Sequence, residues 1–371
     1  MTDQPSTSEV ESLSRRALAG EALGRRELAR LLATADSQSR EPLFAAAREL
    51  RRRHFGDVIF TYGFVYFSTY CRNRCTFCFY RSGNRQSPRY RKPVEEVVAI
   101  CRDLAASGVN LLDLTMGEDP AMHQSGHFAA FSELVAAVRE VAGLPVMVSP
   151  GVVPAAALVD LRTHGADWYA CYQETHNKRL YAALRPGQDY DDRAQAREAA
   201  HAAGLLVEDG ILTGVGETVA DRVASVVAMR DGQVEQARVM GLVPQRGTPL
   251  AASPAPDTMA ELTVIGVMRL AMPDRLIPAS LDVAGLAGLD ARIQAGANVV
   301  TSIVPPTAGL AGVSQSELDI EQGLRTVPAV AERLRALGLR TASQDEYGVW
   351  LAGARERLAQ RRPRVAAKRA L

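Results

Sequence analysis

Three of the five cysteines fall within eight residues, in YFSTYCRNRCTFCFYR (66–81): Cys71, Cys75 and Cys78. Thiolates are metal ligands, and the spacing C-x3-C-x2-C lets one loop present three of them together. The flanking Arg and Asn residues argue against three buried structural thiols. Ligand number then sorts the metals. A structural zinc needs a fourth ligand to close its tetrahedron. No second C-x2-C pair exists, and the nearest upstream histidine, His54, belongs to another segment. A four-iron cluster with four cysteine ligands fails on the same count. A four-iron cluster on three cysteines leaves one iron open, which is useful only where something must bind it.

The triplet directly follows the first of eight apolar, β-rich runs: 64–69, 110–116, 145–150, 168–174, 205–214, 236–244, 276–283 and 298–305. Amphipathic segments lie between them, such as PVEEVVAICRDLAASG and HFAAFSELVAAVREVAG, each ending in a helix-stopping Gly. Eight strands alternating with helices predict a complete (β/α)8 TIM-type barrel over residues 57–315. An open doubly wound sheet is the alternative, and the count and even spacing favour the barrel. In a barrel the functional face lies at the C-terminal ends of the strands, where the cysteine loop falls. Residues 1–56, rich in Leu, Ala and Arg at helical spacing, read as an N-terminal helical cap expected to cover a barrel mouth. Residues 316–371 read as a closing helix, 316–338, and a basic tail, RERLAQRRPRVAAKRAL, that is a frayed helix or disordered.

With Phe77 in the aromatic place, C-x3-C-x-aromatic-C resembles the signature of the radical S-adenosylmethionine (SAM) enzymes. The resemblance implies a [4Fe–4S] cluster on the three cysteines, its open iron chelating the methionine part of SAM. It also implies an external one-electron reductant, whose electron cleaves the sulfonium and releases a 5′-deoxyadenosyl radical. Further motifs follow in strand order. Gly117-Glu118, in TMGEDP, resembles the family's GGE-like motif with Met116 replacing the first Gly. The resemblance makes Glu118 the receiver of SAM's ammonium and adds Phe77, Ser149 and Glu174 to the cofactor contacts. It gives SAM's carboxylate to Arg193, with Arg185 as the rival, since a guanidinium fits a carboxylate bidentately. GILTGVGE (210–217) resembles the family's G-x-I-x-G-x-x-E motif, with Leu212 for Ile and Gly214 beside the adenine.

Four polar residues break the apolar rule for inward barrel positions: Asp113, Arg238, Ser280 and Asp282. Buried charge is costly unless paired, so a substrate pocket is the better reading of the set. One cation and two anions match an α,ω-diamino acid, with Ser280 as a spare donor. Over about residues 57–315 the resemblance narrows, within the radical SAM family, to the lysine mutases that form a methylated ornithine. It implies conversion of L-lysine to (3R)-3-methyl-D-ornithine, the first step of pyrrolysine biosynthesis. By that resemblance Arg238 and Ser280 hold the substrate carboxylate, and Asp113 and Asp282 its amino groups. Hydrogen abstraction, Cα–Cβ fragmentation and recombination need no general acid or base, so no acid–base residue is assigned.

Composition removes other classes. A formal net charge of +1 gives no reason to expect nucleic acid or an anionic membrane as partner. The polar start MTDQPSTSEV is no signal peptide, and no apolar run reaches bilayer length. Five cysteines are too few for a disulfide scaffold, which points to the cytoplasm. The rivals are a biotin-synthase-like sulfur inserter, a cluster-maturation enzyme and a non-catalytic iron–sulfur module. Sulfur insertion lacks ligands for a second cluster: only Cys101, in an apolar helix stripe, and Cys171, read as a small buried filler, remain.

Overall fold

The computed structural model describes residues 4–123, 128–254, 256–306, 308–310, 312 and 324–361. The eight expected strands form: β1 (Val58–Ser68), β2 (Leu111–Met116), β3 (Val146–Ser149), β4 (Ala166–Ala170), β5 (Leu206–Thr213), β6 (Gln236–Gly241), β7 (Pro278–Ser280) and β8 (Val299–Ile303). All pair in parallel, in the order β6-β5-β4-β3-β2-β1-β8-β7. A bridge between Gln236 and Leu276 joins the two ends. There Ala237 N donates to Leu276 O at 2.9 Å, and Leu276 N to Glu235 O at 3.0 Å. The cylinder is closed, and the fold is the expected α/β barrel.

β1 begins six residues earlier than its apolar run suggests, because the run is broken by Gly63. That glycine makes room for a neighbour. A Cβ there would stand 3.0 Å from Leu104 Cδ1, on the helix Val94–Ala106 that crosses the strand.

Along each strand alternate side chains point inward. At the N-terminal end the interior is apolar and aromatic, with Tyr62, Leu111, Met147, Trp168, Leu206 and Val299 in one buried cluster. The same cluster contains Tyr347, Leu351 and Ala354 of the helix Gln344–Gln360. Trp168 stacks on Trp350 at 5.7 Å and donates through Nε1 to Tyr347 Oη at 3.1 Å. The C-terminal helix, not the N-terminal cap, therefore fills this mouth. The expected tail begins inside it, since Arg355–Gln360 complete the helix; residues 362–371 lie outside the described residues. Of the expected closing helix, Val327–Ala336 is helical and 316–323 lie outside the described residues.

The cap residues do form helices, Thr7–Leu18, Arg25–Leu32 and Ser37–Phe55. They pack on the outer helices Val219–Asp231 and Thr258–Ala271. At Gly266 a Cβ would meet Leu43 and Phe44 at 3.2 Å, so helix Ser37–Phe55 lies close along the flank. Among the described residues no helix is long and apolar enough to cross a membrane.

Candidate active site

At the other end of the barrel the loop after β1 carries the cysteines over the strand ends. One pocket, with ≈ 940 Å³ of empty space open to solvent, is lined by Cys71, Cys75 and Cys78 at its outer end. Glu118, Ser149, Glu174, Arg185 and Arg193 line its middle, and Asp113, Arg238 and Asp282 its inner end.

Two local features hold the loop there. Arg72 N donates to Glu118 O at 2.9 Å, and Gly117 N to Ser68 O at 2.9 Å, so the β1 and β2 loops run together. A Cβ on Gly117 would stand 2.8 Å from Cys71 Cβ, which explains the glycine before Glu118. Burial, with the neighbouring thiols adding to it, pushes the Cys71 thiol up to about 11 and the Cys78 thiol higher still. Among the described residues no three Cys, His, Asp or Glu side chains are drawn into a metal-ligand set. The thiols share a pocket wall instead.

The surrounding donors suit an iron–sulfur cluster and an amino-acid ligand. Arg185 Nη1 and Gln188 Nε2 donate to Cys75 Sγ at 3.3 and 3.1 Å. Such hydrogen bonds to sulfur tune clusters. The Arg185 guanidinium also lies 5.4 Å from the Phe77 ring. Two carboxylates face the same space, and their pKa values are displaced in opposite directions. Burial works against ionised Glu118, but Arg193, Val152 N and other donors outweigh it and hold the carboxyl below its usual range. Its Oε1 accepts Arg193 Nη2 at 3.2 Å and its Oε2 accepts Arg72 Nε at 3.0 Å. For Glu174 burial prevails and raises the pKa despite its ion pair with Arg185. Both Arg185 and Arg193 keep a buried Nε without a partner among the described residues. Spare guanidinium donors of this kind fit a ligand carboxylate, so both rival arginines stand at the site.

The inner end is built from alternate strand positions. Arg238 Nε donates to Glu208 Oε1 at 2.6 Å and Nη1 to Thr301 Oγ1 at 2.9 Å. Tyr172 Oη donates to Glu208 Oε2 at 3.1 Å, and the Arg238 guanidinium lies 5.5 Å from the Tyr172 ring. Asp113 Oδ1 accepts from Thr115 at 2.9 Å. Burial first, then the charge of Glu208, raises the Asp113 carboxyl to about 7.

Two non-glycine residues on the wall have left-handed backbones, Glu174 (φ 65°) and Ser302 (φ 67°). Such strain persists where surrounding structure imposes it, and it gathers at ligand sites. At Ser302 the β1–β8 register shifts, so Thr301 and Ser302 both face the pocket although neighbours in a regular strand would not.

Two expected residues are not on the pocket wall. Ser280 Oγ instead donates to Asp282 Oδ2 at 3.5 Å. Gly214 has φ +81°, and its missing Cβ leaves space for Pro256 at 2.5 Å, a packing reason for its conformation. Sequence reasoning missed Glu208, Tyr172, Cys171 and Arg325. Cys171, read as filler, lies on the wall and accepts Arg193 Nη1 at 3.2 Å. Glu208 was legible, because VEDG places an acid on the inward face of β5 just as LLDLT does on β2. Arg325 had no such signal.

The Radical SAM superfamily profile matches residues 65–227. The 3-methylornithine synthase of Methanosarcina barkeri is 41% identical over 94% of this chain and 98% of that protein. The chain belongs to the 3-methylornithine synthase family. The 3-methylornithine synthase of Methanosarcina acetivorans is 39% identical over the same shares of chain and relative. The crystal structure of a methylornithine synthase, PylB, superposes with a TM-score of 0.86 at 41% identity, covering 91% of this chain and 99% of that one. As in the radical SAM family at large, the cofactors are a [4Fe–4S] cluster and SAM.

Proposed function

We propose that the protein converts L-lysine to (3R)-3-methyl-D-ornithine, the first step of pyrrolysine biosynthesis, using electrons from an external one-electron reductant in the cytoplasm. One observation carries the reading: a single pocket connects the cysteine loop to a charged set deep in the barrel, in a chain that matches methylornithine synthases along nearly its whole length. When bound, the cluster and SAM supply a 5′-deoxyadenosyl radical.

Cys71, Cys75 and Cys78 would hold the cluster, with Arg185 and Gln188 donating to the sulfur of Cys75. Glu118 would take SAM's ammonium and the arginine pair its carboxylate, while Phe77, Ser149 and Glu174 border that space. Arg238, fixed by Glu208 and Thr301, keeps Nη2 without a partner among the described residues and would take the substrate carboxylate. Asp113 and Asp282 would receive the ammonium groups, and Ser280 would act through Asp282. Phe64, Tyr66 and Tyr172 wall the space between and exclude water from the reacting carbons. Holding both ends of a fragmenting substrate keeps recombination intramolecular, and orientation of this kind is worth up to ~7–11 kcal/mol. Sulfur insertion fits less well: Cys101 is buried in helix Val94–Ala106, and Cys171 is the one other thiol on the pocket wall.

The test is anaerobic incubation of the cluster-loaded protein with SAM, reductant and L-lysine, followed by chiral chromatography. Product and substrate are isomers, so separation rather than mass identifies methylornithine. Lysine recovered unchanged beside 5′-deoxyadenosine would refute the assignment.

A further inference from the structure

Three acids and two arginines meet at the inner end of the pocket, and the acids are not equivalent. Glu208 is neutralised by Arg238 at 2.6 Å. Asp282 is neutralised as well: its Oδ1 accepts Arg325 Nη1 at 3.0 Å, and its Oδ2 accepts Ser302 Oγ at 2.6 Å. Both partners of this pair are buried. Arg325 is fixed beside the end of β8, where its carbonyl accepts Val304 N at 3.0 Å. Among the described residues Asp113 is hydrogen-bonded only to Thr115, and no basic side chain forms an ion pair with it.

A carboxylate has about four lone-pair sites. Asp282 thus retains room for an N–H donor but contributes no uncompensated charge. We propose that Arg325 is a specificity-determining residue: by cancelling Asp282 it leaves Asp113 as the net charge of the substrate end, matched to an amino acid with one net positive charge. The inference rests on the lysine reading above and deepens it. Lysine, with one carboxylate and two ammonium groups, has that charge. Two bare aspartates would instead favour a ligand with one more positive charge.

The groups facing Asp113 are Glu208 from β5, Arg238 from β6, Tyr172 beyond β4 and Asp282 beyond β7. Lysine needs the ionised carboxylate, so kcat/KM climbs as pH rises through its pKa. Removing Arg325 bares the Asp282 charge and moves that pKa up. Removing the Asp282 charge bares Arg325 and moves it down.

The experiment follows kcat/KM for lysine, and the lysine-induced rise in melting temperature, between about pH 5.5 and 9 in the cluster-loaded enzyme with SAM. Arg325→Gln is expected to shift the midpoint up by about one unit and Asp282→Asn down by about one unit, with the double variant returning toward wild type. A purely structural Arg325 would give no opposite shifts and no return. An unmoved midpoint in Arg325→Gln, or shifts of one sign in both variants, overturns the proposal. Should Arg325→Gln fail to fold, the double variant is read against Asp282→Asn: a higher midpoint in the double variant supports the proposal, and equal midpoints overturn it. Failure of the lysine reading itself looks different, as a wild-type enzyme with neither lysine-dependent product nor melting shift, and it takes this inference with it.

Discussion

Gly117 shows how a motif residue can act by what it lacks. The cysteine loop passes so close that a Cβ would press on Tyr70 O and Cys71 Cβ. Gly117→Ala is therefore expected to displace Cys71 and lower the iron bound per chain after reconstitution, along with the iron–sulfur absorbance. A fully loaded Gly117→Ala protein would contradict that account. Glu174 and Ser302 make the complementary point, since their left-handed backbones turn polar side chains onto the pocket wall. No residue type announces that geometry in advance, because neither is a glycine. Arg238 and Asp113 were legible as polar breaks in apolar runs. Glu208 obeyed the same rule and was overlooked beside Asp209.

At the scale of elements, the helix Gln344–Gln360 is the main revision. Its start carries a reciprocal cap, Ser343 with Glu346, so its N-terminus is locally specified. Its destination is not. Only the assembled barrel presents Tyr62, Trp168 and their neighbours as an apolar floor for Tyr347, Trp350 and Leu351 to cover. Tyr347→Ala is expected to cost about 3–5 kcal/mol of stability, and Tyr347→Phe about 1 kcal/mol, through the lost bonds to Trp168 and Tyr62. Denaturant midpoints at unchanged slope would measure both. Equal losses in the two variants would show that the hydroxyl, not the packing, holds the floor.

For the whole molecule, the N-terminal helices bear on stability more than on shielding. They lie on the flank, and their removal takes away Leu43 and Phe44 and uncovers the face around Gly266. A chain lacking residues 1–56 is expected to melt lower and to aggregate. Where soluble, it should keep the full chain's ratio of 5′-deoxyadenosine to methylornithine. A rise in that ratio would show that the helices seal the site after all.

The order of strands, the barrel class and the cysteine loop could be read from the chain because their signals are local. Alternating runs, helix stops and ligand spacing are set by residues within a few positions of one another. Ligand number pointed to an open iron, and the resemblance to the radical SAM enzymes named SAM as what binds it. Which acid keeps a free charge could not be read that way. Asp282 and its partner Arg325 are 43 positions apart, and compensation of a buried charge depends on distance in space. The tertiary structure made that choice by closing the barrel and bringing the chain back across the end of β8.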